Sequence, residues 1–435
     1  MNPLNLSSLS DSCVKCGKCV PQCTIYRVTR EEVTSPRGYL DLVGAYARGD
    51  LELELNVKNF LESCFLCTTC VEACPTHLPV DRAIEKIRVE IAKQYGIAWY
   101  KRIYFYLLRH RKLMDFVFSF VDFIAPCVFQ KTASNDNKIR FFTNRVVFPF
   151  QKKSFLQKHS GKRSEIHNQK TPYTPNLAHK KVAIFIGCLA NYNYINVGES
   201  LLEILAYLGI DVLIPKQECC GAPAYFTGDI RTTTTLIKKN IQYFEGFIDE
   251  VDAILIPEAT CAAMLMSDWA HALSEEAESS LRNSWIERLN KLTPKMNMAS
   301  AWLYHNTNLA QILKTKGTNP ATLTYHDPCH AKKVLKIHKE PRALLTQNYH
   351  ITEMSEPDRC CGFGGVSMQA DRYNLTLKAG APKAQMIKES GAQIVSAECS
   401  ACRMQITNSL HQANAKASFI HPLELIAKSL KEKLR

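Results

Sequence analysis

The sequence predicts an α+β multidomain protein: a helical, cysteine-rich N-terminal domain, then two duplicated α/β domains with parallel sheets. Three observations carry this. Two cysteine runs of identical spacing stand near the N-terminus. A second set of cysteines recurs at a constant offset in the C-terminal half. Short apolar segments alternate there with amphipathic helical ones, the order that builds parallel sheets. The 435 residues suit two or three domains of roughly 100–200 residues each. A composition of 46% hydrophobic and 22% charged residues belongs to a chain that buries a core, and excludes disorder for its bulk.

The first run is Cys13, Cys16, Cys19 and Cys23; the second is Cys64, Cys67, Cys70 and Cys74, followed by Pro75. Both read C-x2-C-x2-C-x3-C, the bacterial ferredoxin pattern for [4Fe–4S] clusters. Three thiolates two residues apart wrap three corners of one cube, and the fourth points away to the other cluster. The pattern therefore assigns Cys13, Cys16, Cys19 and Cys74 to one cluster, and Cys64, Cys67, Cys70 and Cys23 to the other. Structural zinc prefers two CxxC pairs separated by a loop, and the third cysteine at the same interval speaks against it. Thr24 stands where the first run lacks the usual proline. Lys15 and Lys18 read as surface lysines.

The runs are separated by 40 residues, Thr24 to Ser63, long for a β-type ferredoxin. Gly38 to Arg48 and Leu53 to Leu61 have helical character. Val80 to Gln94 is apolar at Ala83, Ile84, Ile87 and Ile91, at helical spacing. With the turn Ser35-Pro36-Arg37-Gly38, the arrangement resembles the α-helical ferredoxin domain of succinate dehydrogenase and fumarate reductase iron–sulfur subunits.

The net charge is +13, and most of it is local. Ile97 to Lys170 holds 15 Lys and Arg against 4 Asp and Glu, a net +11, interleaved with aromatics from Trp99 to Phe129. Such a stretch reads as a helical linker packing its apolar face internally. It also fits an anionic membrane surface, or less well nucleic acid. No apolar run reaches the roughly 18 residues of a spanning helix. The N-terminus has no secretory signal, so 18 cysteines in a cytoplasmic protein point to metal rather than disulfides. Cys127 fits no motif and reads as a buried apolar residue.

The C-terminal repeat runs Cys188, Cys219-Cys220-Gly221 and Cys261, then Cys329, Cys360-Cys361-Gly362, Cys399 and Cys402. Its members are offset by 141 residues, 138 at the last. Strands are expected at Val182–Ile186, Val212–Ile214, Ala253–Ile256, Leu323–His326 and Gln393–Ser396, with a helix at Gly198–Leu208. Each strand ends shortly before a cysteine, so the cysteines gather at the carboxyl ends of parallel strands. His326 and His330 flank Cys329 and are positioned to tune a cluster or move a proton; they also read as turn-capping groups. Neither a GxGxxG fingerprint nor a Walker A sequence is present.

The pattern Cys…Cys-Cys-Gly…Cys-x-x-Cys, with Cys219-Cys220-Gly221-Ala222-Pro223, Gly228-Asp229 and His326-Asp327-Pro328-Cys329-His330, resembles the cysteine-rich "CCG" domain found in heterodisulfide reductase. Two copies behind a two-cluster ferredoxin domain are similar to the glycolate oxidase iron–sulfur subunit family, to a subunit of anaerobic glycerol-3-phosphate dehydrogenase and to lactate-utilisation proteins. The resemblance implies a helical ferredoxin domain over 1–96 and a basic aromatic-rich helical linker over 97–178. CCG domains would then occupy 179–318 and 319–435. It implies a further iron–sulfur cluster, of the non-cubane [4Fe–4S] kind, at Cys329, Cys360, Cys361, Cys399 and Cys402. The first set, Cys188, Cys219, Cys220 and Cys261, has Met264 in the fifth position, which leaves a different cluster, zinc or nothing open there.

As function, the resemblance implies an electron-transfer subunit of a 2-hydroxy-acid dehydrogenase acting on glycolate or D-lactate. An FAD-containing partner would oxidise the acid, and a quinone or membrane acceptor would take the electrons. It would be cytoplasmic, peripheral on the inner face of the membrane, with no nucleic acid partner. Disulfide reduction at the C-terminal CCG cluster is the alternative; a zinc-dependent nucleic-acid module is disfavoured by the ferredoxin spacing.

Overall fold

The computed structural model describes residues 4–132, 136–139, 144–161, 163–164, 180–275 and 278–431. Residues 4–96 form helices and no strand. The longer elements are Pro36–Arg48, Leu55–Glu62 and Val80–Tyr95. They bury Tyr39, Leu40, Val43, Leu61, Ile84 and Ile87 in one core. The turn before Pro36 is an N-cap: Ser35 Oγ accepts the Gly38 N–H at 3.1 Å, and Pro36 occupies a position where no donor is needed. Gly38 is dictated by packing, because a Cβ there would lie 2.2 Å from the Glu32 carbonyl oxygen.

The C-terminal half contains two sheets of one topology. In the first, Asp211–Leu213, Lys181–Ile184, Ala253–Ile256 and Met296–Met298 lie parallel in that order, with Arg163–Ser164 antiparallel at the edge. In the second, Tyr349–Ile351, Asn319–Tyr325, Ile394–Ser396 and Ser418–Phe419 are all parallel. Numbered within each repeat, both run 2-1-3-4, so the duplication seen in the cysteines extends to the strand order. The central strand Ala253–Ile256 is buried at every residue, as expected of a sheet covered on both faces.

The segment expected as a helical linker begins as two helices, Trp99–Arg109 and Arg111–Val128. It continues as short antiparallel strands, Phe129–Lys131, Asn137–Ile139 and Val146–Val147, and a short helix, Phe155–His159. β-Branched Val146 and Val147 and aromatic Phe129 favour the pleated conformation. Positions 165–179 lie outside the described residues. The two helices have two apolar faces. Phe105, Leu108 and Met114 are buried in the core shared by both repeats, whereas Trp99, Ile103, Tyr106, Leu113, Phe116, Phe120 and Phe123 are exposed. Cys127, expected to be buried, is exposed, because it follows Phe123 and Ile124 onto that outer face. Among the described residues no helix is long and apolar enough to cross a membrane.

Buried polar contacts fasten the parts together. Arg88 donates to the carbonyls of Glu62 (3.0 Å), Cys64 (2.7 Å) and Phe226 (2.8 Å). The Tyr225 hydroxyl donates to Glu85 at 2.9 Å. Between the repeats, Glu258 accepts the Ser400 N–H at 2.7 Å and its hydroxyl at 2.5 Å.

Candidate metal centres

Each N-terminal run winds its backbone the same way. Lys15 and Gly17 flank Cys16 with φ of 55° and 78°; Leu66 and Thr68 flank Cys67 with φ of 50° and 54°. Left-handed residues on both sides of the middle cysteine curl the three thiols toward one point. Only one of those four is glycine, so the run stores backbone strain, as functional loops do.

The structure brings the thiols together across the runs. Cys13, Cys16 and Cys74 surround Cys19, whose pKa is raised by burial and by these neighbours. Cys16 is exposed and Cys13, Cys19 and Cys74 are half-buried, so this set faces solvent. Lys15 is turned to Asp41, at 2.6 Å. Cys23, Cys64, Cys67 and Cys70 line one small enclosed cavity with Ile25, Pro36 and Tyr39. Burial pushes Cys64 up to about 11, with Arg88 opposing it. Thr24, the departure from the proline pattern, places its hydroxyl 3.6 Å from Cys67, and Thr69 approaches the same sulfur at 3.3 Å.

In the first repeat Cys188, Cys219, Cys220 and Cys261 are gathered together, each thiol perturbing the next. Cys188 follows strand 1, Cys219 and Cys220 follow strand 2, and Cys261 follows strand 3. Met264 is fully buried, with its methyl beside Gly221. Two residues from the basic aromatic helices close this site. Tyr104 lines the same cavity as Cys188 and is perturbed by it, and the Arg111 charge lies beside the same thiol and 4.0 Å from Glu218. Neither belongs to a motif; the only signal was the unexplained basic stretch that contains them.

In the second repeat the cysteines occupy the same places relative to the strands. Cys361 and Cys402 sulfurs are 3.3 Å apart. Cys361 is held down to about 6 by hydrogen bonds from Cys360 and Cys402, and Cys399 down to about 7 by Cys402. Thr260, from the first repeat, reaches Cys399 at 3.6 Å and His330 at 3.4 Å. Lys383 is fully buried; it donates to the Glu356 carbonyl at 2.6 Å, and burial lowers it to about 8 against the pull of Cys361 and Cys360. A buried ammonium beside clustered thiolates suits an anionic metal–sulfur group. The donor set therefore fits an iron–sulfur cluster, which when bound accepts and releases single electrons.

The sets are contiguous. Cys67 and Cys360 are buried in the same cluster, each thiol perturbing the other, and Lys333 bridges Thr69 and the Asp358 carbonyl. A cavity of about 540 Å³ lies between the two repeats, bordered by Cys188, Cys220 and Cys261 on one side and by all five cysteines of the second set on the other. Tyr100, Tyr104, Met114 and Phe118 cap it from the aromatic helices.

Comparison with known proteins agrees with this geometry. The Cysteine-rich domain family matches twice, at residues 182–266 and 323–407, and the 4Fe-4S dicluster domain family matches residues 9–78. A "Probable glycolate oxidase iron-sulfur subunit" of Bacillus subtilis is 26% identical across 95% of this chain and 93% of its own length. "Lactate utilization protein A" of Bacillus pumilus is 29% identical across 57% of this chain and 98% of its own. A subunit of the CoM/CoB fumarate reductase of Methanothermobacter marburgensis is 24% identical across 92% of this chain and 68% of its own.

Proposed function

The chain belongs to the iron–sulfur proteins that join a 4Fe-4S dicluster domain to paired cysteine-rich CCG domains, and on that footing we propose that it is the electron-transfer subunit of a 2-hydroxy-acid dehydrogenase. An FAD-containing partner oxidises glycolate or D-lactate. This chain passes the electrons on to a quinone or another membrane acceptor at the inner face of the cytoplasmic membrane. Cys13, Cys16, Cys19 and Cys74 hold one [4Fe–4S] cluster, and Cys64, Cys67, Cys70 and Cys23 hold the second. Cys329, Cys360, Cys361, Cys399 and Cys402 hold a third, non-cubane cluster.

The observation that carries this reading is the shared burial of Cys67 and Cys360. It makes the sets a series: a solvent-facing set open to a donor protein, a buried set, and a terminal set at the cavity. The chain's own residues insulate the series. Tyr39, Ile25 and Pro36 exclude water from the second set, and Thr24, Thr69 and Gly362 direct hydrogen bonds at its sulfurs and those of the third. The exposed aromatic stripe with its basic flanks supports a peripheral contact with anionic lipid.

The test is anaerobic purification of the tagged full-length chain from its native host, followed by visible spectra after adding glycolate or D-lactate. Co-purification of an FAD protein and bleaching of the iron–sulfur absorption by one of these acids is expected. Absence of both overturns the reading. The cavity lined by cysteines of both repeats favours one second reading, reduction of a disulfide substrate there. Disulfide-dependent reoxidation of the chemically reduced chain distinguishes it.

A further inference from the structure

His326, which opens the His326-Asp327-Pro328-Cys329-His330 segment, is 1% exposed. Its Nδ1 lies 3.0 Å from the Pro357 carbonyl oxygen. A carbonyl only accepts, so Nδ1 bears the proton and Nε2 is left with a lone pair. That Nε2 has no hydrogen-bond partner. A buried polar atom without a partner is costly and demands an explanation. The explanation lies next to it: a ring nitrogen of His326 and the sulfurs of Cys361 and Cys402 all lie within 4.8 Å of one another. With Nδ1 committed to Pro357, the available donor is Nε2. A carbonyl fixing one imidazole nitrogen so that the other points at thiolates is the usual support of a metal-ligating histidine.

We infer that His326 Nε2 is a nitrogen ligand to the metal held by the second CCG set, completing a mixed thiolate–imidazole site on an iron of the cluster there. This rests on the cluster assignment made above for the second repeat. Unlike a further thiolate, a neutral nitrogen adds no negative charge to the iron it ligates, and histidine ligation raises the reduction potential of iron–sulfur centres. His330, by contrast, is engaged with Thr260 and sits 3.7 Å from Cys329, so it is the control.

The full-length chain, labelled with ¹⁵N-histidine and purified anaerobically, is assayed for iron and then probed by pulsed paramagnetic resonance in its oxidised and dithionite-reduced states. A histidine nitrogen coupling that persists in His330→Ala and is lost in His326→Ala is expected. His326→Cys should retain the iron and lower the potential of that cluster. If His326→Ala does not fold, the labelled parent and His330→Ala still decide whether a histidine other than His330 is coordinated. Iron above roughly eight atoms per chain without any histidine coupling overturns the ligation and leaves the cluster assignment standing. Iron at or below that level overturns both. A coupling lost with His330 instead of His326 also overturns it.

Discussion

Cys67, in the loop of the second N-terminal run, and Cys360, in the loop that follows the strand Tyr349–Ile351, are buried together in one packed cluster and interact electrostatically. This pairing turns two motifs that are remote in sequence into one continuous site. Replacing Cys67 with serine removes a ligand from the buried N-terminal set and disturbs Cys360. On the proposed cluster assignment, iron per chain should fall by roughly four atoms, one cluster's worth, and reduction of a second-repeat cluster along the proposed electron route should slow. Cys16→Ser, at the exposed set, should cost a similar amount of iron but leave the resonance signal of the second-repeat cluster unchanged. Metal analysis and spectra of both variants check this.

Met264 occupies the fifth position of the first repeat with four thiols already assembled beside it. A thioether is a poor partner for iron in a thiolate site. Met264→Cys completes the set, and iron and acid-labile sulfide per chain are expected to rise. An unchanged metal content would show that Tyr104 and Arg111, rather than the missing thiolate, keep a cluster from this site.

Arg88 is 4% exposed; it donates to the Glu62 and Cys64 carbonyls within the helical domain and to the Phe226 carbonyl of the first repeat. Arg88→Ala strands those acceptors in a buried interface. A loss of about 3 kcal/mol is expected, from unsatisfied buried groups that cost about 1–3 kcal/mol each. Thermal unfolding of the metal-loaded protein should shift down by about 3 °C.

The outer face of the helices Trp99–Arg109 and Arg111–Val128 exposes Phe116 and Phe123 at 68% and 80%. Replacing both with glutamate should leave the fold intact, since neither side chain is buried. It should abolish co-sedimentation with anionic phospholipid vesicles, and parent binding should weaken with salt. Equal binding by parent and variant would exclude this face as the lipid contact.

His421 is buried, with Nε2 facing the Pro257 carbonyl at 3.2 Å and Nδ1 accepting the Leu423 N–H. Burial, with Arg403 nearby, lowers its pKa from 6.5 to about 3. The unfolded chain therefore binds the extra proton first as pH falls. Stability from this group is whole above pH 6.5 and is lost between 6.5 and 3, by about 1.4 kcal/mol per unit. His421→Gln should be less stable at neutral pH but show a shallower fall between pH 6.5 and 5 in thermal unfolding.

Much of this architecture is legible in the amino-acid order because its signals are local. The C-x2-C-x2-C spacing dictates a loop that gathers three thiols, and Ala83, Ile84, Ile87 and Ile91 announce a helix by their spacing. Alternating apolar strands and helices set the parallel topology, with cysteines at the strand ends. The constant offset between repeats revealed the duplication that the matching 2-1-3-4 strand orders display. What the order of residues left open depends on long-range packing. Nothing local says that Cys67 reaches Cys360, that Thr260 of one repeat serves Cys399 of the other, or that Tyr104 and Arg111 close the first site. The basic aromatic segment shows the same division. Its composition reads as both core and surface, since a helix with two apolar faces has no single preferred orientation in sequence. Only docking against both repeats decided that Phe105 and Met114 turn inward and Phe116 and Phe123 outward.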